Sequence, residues 1–157
     1  MDNAGLMDHR NSLLNIANDL LKEGKQLMIE ARGYSMYPTI KPGETVYIKA
    51  CNIEEDVAPG NIIAWKNGND IILHRVVSIY GSDHNTFFIT RGDGSLNNDS
   101  PIKFNQIVGK AIRIDSGGKS RTPDSEAIIP GWKYRYNKRR VWMILKFAKL
   151  IKMLKNE

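Results

Sequence analysis

The sequence predicts a mainly β domain, sandwich- or barrel-like, between an N-terminal helix and a C-terminal amphipathic helix. Three observations carry this. Short apolar segments, alternating or continuous, recur at close spacing through the middle of the chain. Turn signals divide them, among them Pro42-Gly43, Pro59-Gly60 and Asn67-Gly68-Asn69-Asp70. Helical periodicity is confined to the two ends.

The N-terminal helix lies within Asp8–Glu30, where Leu13, Leu14, Ile16, Ala17, Leu20 and Leu21 recur at helical spacing. Asn11 or Ser12 caps its start and Gly24 marks its end. From Lys25 to Arg32 the period changes to two, which makes a strand. A corner follows, Gly33 to Val46, and then a second strand, Thr45–Ala50. Beyond an acidic loop at Glu54–Asp56, Asn61–Trp65 and Ile71–Ile79 are strands joined by the Asn67–Asp70 hairpin turn. The second is apolar on both parities except at His74, Arg75 and Ser78, so both its faces are covered. Alternation places His74 with Ile72 and Val76, and Arg75 with Leu73 and Val77. Gly81–Asn85 turns the chain into a strand at Thr86–Thr90, a polar loop spans Arg91–Pro101, and Ile107–Asp115 is the last strand.

Three segments result: a β domain over residues 1–115, a linker over 116–130, and a basic amphipathic segment over 131–157. The chain of 157 residues is long enough for one domain with a real core, and 41% hydrophobic residues is normal for a folded protein. Much of the net charge of +6 lies after Trp132. A single cysteine, Cys51, forms no internal disulfide and builds no zinc site. No metal and no cofactor is expected. The polar start, Met1–Arg10, has no apolar core of a signal peptide, and no run approaches the ~20 apolar residues of a membrane span.

Chemistry is concentrated at three places. Ser35 stands in a corner where Gly33 gives conformational freedom and Pro38 fixes φ and holds Tyr37 extended. His74 lies in a strand with both faces covered. Asp93 and Asp99 lie in the polar loop. Taken singly, each is ordinary: a turn serine, a packed histidine, turn carboxylates. Together they supply nucleophile, base and orienting acid for acyl transfer, because a serine hydroxyl attacks only when a base removes its proton and a partner fixes that base's tautomer.

Ser35-Met36-Tyr37-Pro38-Thr39 resembles the Ser-Met-x-Pro-Thr box of the type I signal peptidases and the wider signal peptidase/LexA-like clan. Pro42-Gly43-Glu44-Thr45-Val46 and Pro59-Gly60-Asn61-Ile62-Ile63 resemble its Gly-Asp-x-Val and Gly-Asp-Ile-Val turns, with Glu44 and Asn61 in place of the usual Asp. His74-Arg75 stands where the bacterial enzymes carry Lys-Arg, which resembles the Ser-His branch of archaea, the endoplasmic reticulum and spore formers. Gly92-Asp93…Asp99-Ser100 and Val108-Gly109-Lys110-Ala111 resemble the last box and its strand. The resemblance covers roughly Gly33 to Ile114. It implies a coiled β-sheet fold and a serine endopeptidase. Ser35 is then nucleophile, His74 base, Asp99 orienting acid and Asp93 a supporting carboxylate. It further implies an oxyanion hole resting mainly on backbone N–H groups, that of Ser35 included. Substrate contacts are expected at Gly33, Tyr34, Met36, Pro38 and Ile72, with an edge strand pairing to an extended peptide or preprotein that is cut after small residues.

Two other functions fit parts of the sequence. A LexA-like regulator that cleaves itself needs a DNA-binding domain, and about thirty residues before the Ser35 corner are too few for one. A non-catalytic module would use the basic segment to bind nucleic acid or lipid on an inactive scaffold. In that segment Trp132, Tyr134 and Tyr136 interleave with basic residues, and an apolar face of Trp142, Leu145, Ile151 and Leu154 is punctuated by lysines. The pattern favours an anionic membrane surface over nucleic acid as partner of Trp132–Glu157. A peripheral membrane location follows as the expectation, with a cytoplasmic one as the alternative.

Overall fold

The computed structural model describes residues 19–82, 85–123 and 129–154. Most of the expected N-terminal helix falls outside this set; its end is helical over residues 19–22, and Leu21 there is buried. Eight strands follow: β1 (Leu27–Glu30), β2 (Thr45–Lys49), β3 (Ile62–Asn67), β4 (Asp70–Tyr80), β5 (Phe87–Arg91), β6 (Ile102–Lys103), β7 (Ile107–Ser116) and β8 (Lys119–Arg121). A helix over Gly131–Leu154 ends the described chain.

The protein is mainly β. The strands form one antiparallel sheet in the order β1-β2-β7-β3-β4-β5-β6, with β8 added to β7. The sheet coils without closing into a barrel. Register shifts between Tyr47 and Ile48, Ala64 and Trp65, and Val76 and Ser78 interrupt the ladders, and such bulges bend and twist strands. Because of the bending, β1 and β4 meet in one core although three strands separate them in the sheet. Leu27 and Ile29 of β1 and Ile71 and Leu73 of β4 pack on a cluster that includes Met36, Ile40, Val46, Ile48 and Ile62. Ile63, Trp65, Val76, Phe88 and Ile102 fill a second core on the other face. This is why β3 and β4 are apolar at both parities.

Two expectations are corrected. The stretch 116–130 is not a plain linker, because it contains β8. Gly117 and Gly118, with φ of 52° and 81°, make the two-residue turn that pairs Ser116 with Lys119. Both central residues need positive φ in this turn, which glycine supplies without strain. Arg121 then donates to the Thr39 carbonyl at 2.8 Å and to Glu44 Oε2 at 2.6 Å, tying β8 to the end of the Ser35 corner. Nor does the C-terminal helix stand apart. Tyr134 and Asn137 are buried, and the Arg91 guanidinium stacks 3.5 Å from the Tyr134 ring centre. Asn137 Nδ2 donates to the Asp93 carbonyl at 3.0 Å, and Arg140 donates to the Tyr37 hydroxyl at 3.1 Å. The first half of the helix is docked on the β domain. Beyond it, Trp142, Met143, Leu145, Phe147, Leu150, Ile151, Met153 and Leu154 are all exposed.

Candidate active site

Strand directions explain how Ser35 and His74 come to line one groove. Each of the four steps from β1 through β2, β7 and β3 to β4 is antiparallel, so β1 and β4 run the same way. The Ser35 corner leaves the end of β1, and His74 lies beyond the first turns of β4. Both therefore arrive at the same end of the space between the two strands. That space is an open groove of about 880 Å³, lined by residues 27–33 and 69–74 together with Ser35, Met36 and Ile40. Among the described residues β1 pairs only with β2, while β4 meets β5 only from Arg75 onward. The groove thus runs between the edges of two strands that do not pair with each other.

The corner is a turn closed by the Tyr37 N–H on the Tyr34 carbonyl at 3.1 Å and the Ile40 N–H on the Met36 carbonyl at 2.9 Å. The Tyr37–Pro38 peptide is cis. Ser35 is exposed, and its backbone N–H, the expected oxyanion donor, makes no backbone hydrogen bond among the described residues. Gly33 does not use the freedom of glycine: its φ is not positive, and a Cβ there would meet nothing within 4 Å.

His74 is buried, and its Nδ1 lies 2.6 Å from Asp99 Oδ2. The Thr90 hydroxyl donates to the same oxygen at 2.6 Å, and the Asp99 N–H donates to the Thr90 carbonyl at 2.8 Å. Burial works against the Asp99 charge, but the hydrogen bonds from His74 and Thr90 and the neighbouring imidazole outweigh it and hold the carboxyl below its ordinary range. An ionised carboxylate only accepts hydrogen bonds, so Nδ1 must carry the proton. In the neutral imidazole Nε2 is then the acceptor. Nε2 faces the Ser35 corner: a Cβ on Gly92 would sit 2.9 Å from it and 2.5 Å from the Ser35 carbonyl oxygen. Gly92 is required here by close approach. Loop and corner are joined directly by the Gly94 N–H on the Ser35 carbonyl at 2.7 Å.

Asp93 has a different place. It is fully buried and accepts from Arg75 Nε at 2.9 Å and Arg75 Nη2 at 2.8 Å, and from the Thr39 hydroxyl. Arg75 Nη1 also donates to the Gly60 carbonyl at 2.7 Å. Neighbours on β4 thus point to opposite faces, His74 to Asp99 and Arg75 to Asp93. The expected supporting role of Asp93 takes the form of a buried ion pair rather than a contact with His74.

Of the expected substrate contacts, Gly33, Met36 and Ile72 line the groove with Ser35 and His74. Tyr34 and Pro38 do not. Pro38 lines a separate depression with Glu44, Arg121 and Pro123. Residues that sequence reasoning missed are Thr90, Thr39 and Asn137. Nothing in the local pattern signals the Thr90 contact, and Thr39 closes the Ser-Met-x-Pro-Thr segment with no local sign that Asp93 is its partner. Asn137 belongs to the helical stripe Tyr134, Asn137, Val141, Ile144, whose spacing does mark a docked face. Among the described residues no group of three or more His, Cys, Asp or Glu side chains is placed to hold a metal. Comparison with family profiles and with curated proteins gives no match to this chain.

Proposed function

We propose that this chain is a serine endopeptidase that cuts extended peptides, with signal- or leader-type sequences cleaved after small residues as the substrate class. The observation that carries the reading is the His74–Asp99 hydrogen bond at the end of a strand-edged groove whose wall includes Ser35. The resemblance of the Ser35 and His74 segments to the Ser-His signal peptidases gives the substrate class. In this mechanism His74 Nε2 takes the Ser35 hydroxyl proton as Oγ attacks the peptide carbonyl carbon. The tetrahedral intermediate carries its negative charge beside the Ser35 N–H. Collapse breaks the C–N bond, and His74 gives its proton to the leaving amine. Water, deprotonated by the same imidazole, then releases the acyl group and restores Ser35. The strand edges of β1 and β4 supply backbone hydrogen bonds to the substrate, while alternate side chains enter the groove.

The test is cleavage of an extended-peptide library read by mass spectrometry. Wild-type protein should cut after small residues, and His74→Ala should lower the rate by several orders of magnitude. Ser35→Ala should reduce cleavage to background while thermal unfolding stays unchanged. Cleavage at the wild-type rate by that variant, or no cut peptide from a library that includes leader-type sequences, overturns the reading.

A further inference from the structure

The C-terminal helix has two halves with different surroundings. Tyr134 and Asn137 seat the first half on the β domain, against Arg91 and the Asp93 carbonyl. The second half carries large apolar side chains that touch little. Met143, Phe147, Leu150 and Leu154 recur on one face and are between 49% and 65% exposed. A run of this size is too large to be incidental surface. Among the described residues no helix is long and apolar enough to cross a membrane.

Charge decides what covers it. Residues 131–154 contain eight Lys and Arg and neither Asp nor Glu. A second copy of the chain would place two such cationic helices side by side, and like charges at that distance repel. A nucleic acid would satisfy the cations and leave the apolar face in water. An anionic bilayer satisfies both: apolar side chains enter the headgroup boundary while lysines reach the phosphates from the flanks. Lys146, whose Nζ lies 4.8 Å above the Trp142 ring, already has this amphipathic arrangement.

We propose that the second half of the C-terminal helix is an interfacial anchor for anionic phospholipid surfaces. Because its first half is seated on the loop that carries Asp93, the β domain is joined to the bilayer through packed contacts rather than a loose tether. The anchor does not depend on catalysis, so it stands or falls separately from the peptidase reading.

Flotation of the full chain with vesicles tests it. Wild type and Ser35→Ala should float equally with phosphatidylglycerol vesicles at low salt, be released at high salt, and stay behind with pure phosphatidylcholine. Each lysine near an anionic leaflet is worth about fivefold in partitioning, so Lys146→Gln with Lys149→Gln should weaken it about 30-fold. Phe147→Ser with Leu150→Ser should abolish flotation. Both pairs change exposed positions, and unfolding midpoints within error of wild type show that the fold persists. Flotation that survives both pairs overturns the proposal, as does its absence in wild type. So do a lipid-free dimer that the apolar pair abolishes, and tighter binding to a nucleic-acid oligonucleotide than to the anionic vesicles.

Discussion

Two aspartates in one loop divide the work. Asp99 accepts from the His74 imidazole, and Asp93 accepts from the buried Arg75 guanidinium. Their amide variants should therefore fail differently. Asp99→Asn should lower kcat by about 1000-fold with little change in stability, because the amide no longer enforces the Nδ1–H tautomer. Asp93→Asn should destabilise by roughly 3–5 kcal/mol, because it removes the counter-charge of a buried cation. Urea unfolding and single-turnover cleavage separate the two, and a stable, slow Asp93→Asn would contradict the division. Two glycines give a similar contrast. Gly92→Ala drives a methyl between the Ser35 carbonyl and His74 Nε2, so activity should fall by about 100-fold. Gly33→Ala meets nothing within 4 Å and should unfold at the wild-type midpoint. A wild-type rate for Gly92→Ala would mean that Nε2 does not work in the space beside Gly92.

At the scale of elements, β8 is held by one side chain. Arg121 bridges to the Thr39 carbonyl and to Glu44. Burial disfavours the Glu44 charge, yet Arg121 and the Lys41 N–H hold its carboxyl below the ordinary value. A depressed folded value adds stability above the unfolded value, and that stability is lost as pH falls through the folded one. Arg121→Gln removes the main cause of the depression, so acid unfolding should begin at a higher pH. Arg121 is 41% exposed and water screens the pair, so the cost at neutral pH should be about 1 kcal/mol. An unmoved acid transition by circular dichroism would show that the tie to β8 carries no stability. β8 was hidden by the Gly117-Gly118 pair, which reads as a linker when no apolar period follows it but here makes a hairpin turn. The longer strands were legible because their periods and turn residues agree, as at Asn67–Asp70. β6, two residues long, has no period to detect. Ser35, His74 and Asp99 stood out as residue types with complementary chemistry. Thr90, Thr39 and Asn137 did not, since their roles arise from contacts across 9 to 54 positions of sequence.

For the whole molecule, the gap that keeps the sheet from closing is also the groove. β1 and β4 share a core yet do not pair, so a strand-shaped space is left between them. One pairing has a consequence for how the fold is made. His74 and Arg75 are neighbours on β4, and the buried Arg75 finds its counter-charge in Asp93. The strand cannot be covered before the loop arrives, since a lone guanidinium in the interior is far too costly. Loop closure and core formation then become a single cooperative event, and the groove end is assembled by the act of folding. Amide hydrogen exchange reads this directly. The Gly94 and Asp99 amides, bonded to the Ser35 and Thr90 carbonyls, should open with the same free energy as the amides of Ile63 in the core of β3. A markedly lower opening energy for the loop would mean that it detaches alone. With equal values, no partly folded form of the chain has the groove end in place.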